Sequence, residues 1–231
     1  MTDRDQALTA RSREAVPRAR IQTLSDVIFG LALSISVIPL LSGKPSNLYD
    51  LAGSILGFGW AFLILALVWV RYTRILSVLP VETGRMVGAN LLLLFLVSIE
   101  PYLYNLISSS YAQGATLDVS TATSLYAVDM SALFLVTAYL LAELTKEERK
   151  LIPRMLLRGY RLQAYGSLAA AALFLISTIP VFWTFEVLGV PIRFILWMGT
   201  FFVMVVRRGV ERMSMGADSA QAVAEAGIVG S

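Results

Sequence analysis

Residues 20–39 read Arg-Ile-Gln-Thr-Leu-Ser-Asp-Val-Ile-Phe-Gly-Leu-Ala-Leu-Ser-Ile-Ser-Val-Ile-Pro. After Asp26 the run is apolar or small up to Pro39. Leu31, Ile35 and Ile38 stand at i, i+4 and i+7, so a helix carries all three on one face. Ser34 lies on the same side, one turn after Leu31. Gly30, Ala32, Ser34 and Ser36 are small and permit close approach of a neighbouring helix. By spacing alone such an aliphatic stripe is ordinary packing.

Working outward, apolar runs of about 20 residues, the length that crosses roughly 30 Å of hydrocarbon, recur along the chain. Six are readable, at 21–42, 51–71, 86–108, 119–143, 160–183 and 187–206. The composition agrees. Of 231 residues, 57% are hydrophobic and 15% charged, with mean hydropathy +0.70. That excludes disorder, which needs low hydrophobicity and high charge, and disfavours a soluble enzyme, which needs polar surface to cover its core. The expected fold is an all-α membrane protein with six transmembrane helices per subunit. A tail over 1–20, a transmembrane domain over 21–206 and a second tail over 207–231 make up its parts. The first twenty residues are polar and Arg-bearing and lack the apolar core of a secretory signal.

Seventeen of the 19 Lys and Arg residues fall in the two tails and in the connections after the second and fourth spans. Only Lys44 and Arg193 fall on the other side. The positive-inside rule then places both termini in the cytoplasm. The basic pI of about 9.3 is thus an orientation signal, and nucleic acid is not an expected partner. Thr145-Lys-Glu-Glu148 fits a capping box with Thr145 as N-cap, opening either a short interfacial helix or an extension of a neighbouring span. The Ala/Gly/Ser-rich stretch from Ser214 reads as a frayed tail.

The chain has no Cys and no His, which removes thiol nucleophiles, disulfides and the commonest general base and metal ligand. No enzyme and no cofactor are expected. Inside the spans stand three ionisable residues, which are costly there: Asp26, Glu100 and Asp129. Two readings of Glu100 and Asp129 are open. They are a proton or cation relay, as in a proton-coupled secondary transporter, or they hydrogen-bond between helices. For Glu100 a place near the outer headgroups is a further option, with Tyr102, Tyr104 and Asn105 as an interfacial belt.

Arg20-Ile-Gln-Thr-Leu24-Ser25-Asp26 at the start of a first span resembles the Arg-x-x-x-Phe-Ser-Asp signature of the transmembrane protein 175 potassium-channel family. Asn90-Leu-Leu-Leu-Leu-Phe-Leu-Val-Ser98-Ile-Glu-Pro101 is similar to that family's third helix. The resemblance implies a potassium-preferring cation channel in the cell membrane, a homotetramer with its pore lined by the first helix of each subunit. Family members lack a Thr-Val-Gly-Tyr-Gly filter, and none occurs here. The aliphatic constriction would fall on Leu31, Ile35 and Ile38, with Ser34 as a polar layer. Arg20, Ser25 and Asp26 would form a network that holds the first helix on the cytoplasmic side. Three departures stand out: Leu24 replaces the motif Phe, Val27 stands where Gly or Ala is common, and Trp69 is followed by Tyr72 and Thr73 where a His is usual.

Overall fold

The computed structural model describes residues 21–38, 40, 47–78, 84–111, 117–146, 154–187, 189–200 and 202. Helix α1 runs Ile21–Ile35, α2 Leu48–Val78, α3 Gly84–Ser110, α4 Val119–Leu144 and α5 Arg154–Ile176. A single turn, α6, spans Val181–Thr184. A two-stranded hairpin follows, β1 at Glu186–Val187 and β2 at Val190–Pro191, and α7 covers 192–200. Helices α2, α3 and α4 are each long and apolar enough to cross a membrane, and α1 is a shorter apolar helix.

Helix α4 is the centre of the bundle. It packs most extensively on α5 and α3 and also touches α2. Small side chains make this approach possible: Ala122, Ala127 and Ala138 of α4 and Ala170 and Ala171 of α5 are all buried. Between helices in lipid there is little hydrophobic driving force, so close packing and interhelical hydrogen bonds carry the association. Phe134 of α4 stacks on Phe174 of α5 with centroids 5.9 Å apart, and Ser131 Oγ donates to the Ala171 carbonyl across the same interface at 3.0 Å. From α1 the core takes Phe29 and Ala32, and from α7 Trp197. Between α2 and α3, Gly57 lets Tyr104 approach closely: a Cβ there would collide with the Tyr104 hydroxyl.

Helix ends follow local chemistry. Asp118 caps α4, its carboxylate accepting from the Thr121 hydroxyl and backbone N–H. This is the usual service of an N-cap Asp. Those bonds from Thr121 hold the Asp118 carboxyl below its ordinary range. At the other end Thr145 is the C-cap of α4, its hydroxyl donating back to the Ala142 carbonyl. The capping-box reading is therefore corrected. Thr145 closes the preceding helix, because its hydroxyl has orphan carbonyls one turn behind it to satisfy. Glu148 lies outside the described residues, as do Arg20, Lys44, both tails and the end of the sixth expected span.

One expected span is interrupted and another is cut short. In the first, regular helix stops at Ile35, Ser36 and Val37 turn with the Ser36 hydroxyl on the Ala32 carbonyl, and Ile38 and Leu40 are helical again. The fifth ends at Ile176 where the sequence suggests 183. Ser177 and Thr178 bend their hydroxyls onto the Phe174 and Leu175 carbonyls. Pro180, two residues on, lacks an N–H and disfavours helical backbone before it. The connection that follows is thus the α6 turn and the hairpin, longer and more structured than the few residues expected.

Candidate functional site in the first helix and its anchors

Helix α1 and the three residues after it divide into a buried and an exposed side. Ser25, Phe29, Ala32 and Ser36 are buried in the subunit. Leu31 is 58% exposed, Ile35 39% and Ile38 46%, and Ser34 is exposed with them. Leu24, Val27 and Gly30 extend the same exposed strip. The Ser34 hydroxyl donates to the Gly30 carbonyl at 2.8 Å, and its oxygen keeps its capacity to accept. The subunit thus presents an apolar stripe with one hydroxyl layer and turns it away from its own core.

Three polar groups hold α1 at its first turns. The Ser25 hydroxyl shares a 2.6 Å hydrogen bond with Tyr72 of α2. Tyr72 in turn donates to Asn90 Oδ1 of α3. Phe29 packs its ring on Tyr72, with centroids 5.4 Å apart. Asp26 Oδ1 accepts from the Trp69 indole N–H at 3.0 Å. One residue thus ties α1 to two helices, and the next ties it to α2. The sequence reading named Ser25 and Asp26 but missed Tyr72 and Asn90 as their partners. The signal was present: Asn90 is a lone amide at the head of a run of Leu, and Tyr72 stands one turn after Trp69.

These bonds differ in burial, so they differ in worth. Tyr72→Phe strips Asn90 Oδ1 of its donor inside the bundle and leaves Ser25 only its bond to the Ile21 carbonyl, and is expected to cost about 1–3 kcal/mol. Asp26→Ala frees one indole N–H at an exposed position and is expected to cost about 0.5–1.5 kcal/mol. Melting temperatures of the two variants in one detergent test the order. The reverse order would give Asp26 a second, stronger partner, with Arg20 the first to examine.

Glu100 and Asp129 lie on the opposite side of the chemistry. Glu100 is wholly buried between α3 and α4, and its Oε1 accepts from the Tyr126 hydroxyl at 3.1 Å. Asp129, one turn along α4 from Tyr126, is buried with it. Glu100 Oε2 and Asp129 Oδ2 have no hydrogen-bond partner among the described residues. Glu100 is therefore buried between helices and hydrogen-bonds across them, as the interhelical reading expects. Tyr102 alone of the supposed belt is strongly exposed, whereas Tyr104 packs on Gly57.

Apolar helices and an interhelical network of this kind define a multi-pass helical membrane protein. The family model described as the endosomal/lysosomal potassium channel TMEM175 matches residues 20–101. That match begins at Arg20 and ends at Pro101, so it contains both motifs on which the resemblance was read. The resemblance to the TMEM175 family therefore stands. A solved structure, that of a lysosomal potassium-selective channel TMEM175 homolog from Chamaesiphon minutus, is similar at 22% identity with a TM-score of 0.55. The match covers 83% of this chain and 98% of that one, and the two share a fold. No curated protein matches the chain.

Proposed function

We propose that the chain is one subunit of a homotetrameric, potassium-preferring cation channel of the cell membrane, with six spans and both termini cytoplasmic. The observation that carries this reading is the outward stripe of α1. Four copies around an axis would turn Leu31, Ser34, Ile35 and Ile38 into rings. A narrow ring of Leu31 dewets and bars hydrated ions, so conduction requires the first helices to rotate or splay. The Ser34 hydroxyls supply oxygen ligands one turn beyond the neck to an ion that has shed part of its water. The fold shared with a potassium-selective channel and the family match over α1 to α3 support the same reading. Ser25, Asp26, Tyr72 and Asn90 then act as the mount that holds the pore helix, with Arg20 as the expected further member.

Purified protein in a planar bilayer under a potassium/sodium bi-ionic gradient tests the proposal. The expected result is a current whose reversal potential lies on the potassium side. Saturable uptake that follows a proton gradient, with no such current, overturns it. The two buried carboxyls are what a proton-coupled transporter would use, and their unpartnered oxygens are the one observation in that reading's favour. Glu100→Gln and Asp129→Asn separate the two. Conduction is expected to survive both changes, since neither residue lies on α1. Abolished flux in folded protein would make the transporter the better account.

A further inference from the structure

The apolar part of α5 is short. Its last charged residue is Arg161 and its helix ends at Ile176, which at 1.5 Å per residue gives about 22 Å. A hydrocarbon core of about 30 Å leaves about 8 Å uncrossed. By contrast α4, with 26 residues, runs about 39 Å without a Lys or Arg. The residues after Ile176 therefore start below the outer edge of the hydrocarbon.

Their composition suits that depth. Between Ser177 and Pro191 Glu186 is the one charged residue. Ile179, Val181, Phe185, Val187 and Val190 are all exposed on the subunit. The hairpin turns at Gly189, whose φ of 76° suits glycine. Its tip is otherwise Val-Leu-Gly-Val, where a two-residue turn in water favours Asn-Gly or Asp-Gly. Unpaired backbone groups are the usual obstacle to strands near lipid, and the facing edges of this hairpin pair theirs. Val187 pairs with Val190 and Glu186 with Pro191, which has no N–H, and the Ile192 N–H bonds the Phe185 carbonyl at 3.0 Å.

Arg193 gives an independent indication. Its side chain is wholly buried. Nε donates to the Ser177 carbonyl at 2.7 Å and Nη1 to the Ser120 carbonyl and Thr123 hydroxyl at 2.8 and 2.6 Å. The guanidinium lies over the Trp183 ring, 5.3 Å from its centroid. An arginine in an outer aqueous loop has water to solvate it. One at membrane depth must be clad by carbonyls, hydroxyls and ring faces, as this one is.

We propose that residues 177–191 form an outer-leaflet insertion, with α6 and the hairpin in the boundary between acyl chains and headgroups and Phe185, Val187 and Val190 in contact with lipid. The inference rests on the proposed orientation of the spans. Arg193 is its anchor: the buried guanidinium fixes the base of the segment to α4 and α5, and the apolar tip faces outward.

The chain has no Cys, so single nitroxide labels are directly placed. Val187→Cys and, separately, Val190→Cys are labelled in the full chain in phosphatidylcholine vesicles. Collision rates with oxygen, which partitions into lipid, and with a nickel chelate, which stays in water, are compared. Leu125→Cys on the exposed face of α4 is the lipid reference, and Lys146→Cys, exposed just past the end of α4, is the aqueous one. The expected oxygen-to-nickel ratio at 187 and 190 is close to that at 125 and several-fold above that at 146. A ratio like that at 146 makes the hairpin an aqueous loop and overturns the proposal. Protection from both reagents overturns it too and assigns the face to a neighbouring subunit. If Leu125 itself shows no oxygen preference, the spans are wrong and the insertion fails with them.

Discussion

Leu31→Asn is expected to raise single-channel conductance several-fold and to move the bi-ionic reversal potential toward zero, with little loss of thermal stability. Leu31 is more than half exposed on the subunit, so an amide there displaces little intrasubunit packing. At the axis of a tetramer four amides meet water and one another. On the proposed reading they would wet a neck that four leucines keep dry, and a wetter neck would discriminate less between potassium and sodium. If the stripe instead packs in a dry interface between helices, the same change buries an unpartnered amide. The cost is then about 1–3 kcal/mol, and permeation by the folded fraction stays as it was. Conductance, reversal potential and melting temperature on the same preparations separate the outcomes, and early melting with unchanged permeation removes the pore from this face. Two controls sharpen the comparison. Phe185→Asn, remote from α1 in the chain, is expected to leave permeation alone. Phe29→Ala, on the buried face of the same helix, is expected to cost about 3–5 kcal/mol, so the two faces of α1 respond oppositely.

The exposed side of α1 was readable in advance because the 3.6-residue period puts Leu31 and Ile35 together, whereas Ile38 lies past a turn at Ser36 and Val37 that the period does not foresee. Helices α3 and α4 were readable for a related reason: their apolar runs are long, and their ends fall where polar residues begin. What stayed hidden depended on partners distant in sequence. Tyr72 and Asn90 meet only once α2 and α3 are side by side. Glu100, placed among tyrosines, resembles an interfacial residue until α4 supplies the Tyr126 hydroxyl. Thr145 followed by Glu148 satisfies a start signal and a stop signal equally, and the carbonyls of α4 decide between them. The end of α5 was masked by Ile179, Val181 and Phe182, which keep the run apolar after the helix has stopped. Arg193 counted as one positive charge on the outer side, and nothing local in the sequence marks it as buried.

Arg193→Ala is expected to cost about 3–5 kcal/mol, the range for stripping one side of a buried charged hydrogen-bond set. Three elements lose their common tie. The Ser177 carbonyl at the end of α5 and the Ser120 carbonyl in the first turn of α4 each lose a charge-assisted donor, and Trp183 loses the cation over its ring. The guanidinium also sits where the C-terminal carbonyls of α5 concentrate negative potential, so charge and helix dipole favour each other. Arg193→Lys distinguishes these contributions. It keeps the charge near the dipole but has neither the planar fork that reaches Ser177 and Ser120 together nor the flat face that stacks on Trp183. An intermediate loss is therefore expected, with Trp183→Ala alone costing about 0.5–2 kcal/mol. Melting temperature in detergent gives the order Ala, then Lys, then wild type. The reversal potential is expected to stay fixed across the series, because no bond of Arg193 reaches α1. Wild-type stability in Arg193→Lys would show that charge alone holds the outer end together. Wild-type stability in Arg193→Ala would show that the carbonyls find water there, at a depth the proposed insertion does not allow.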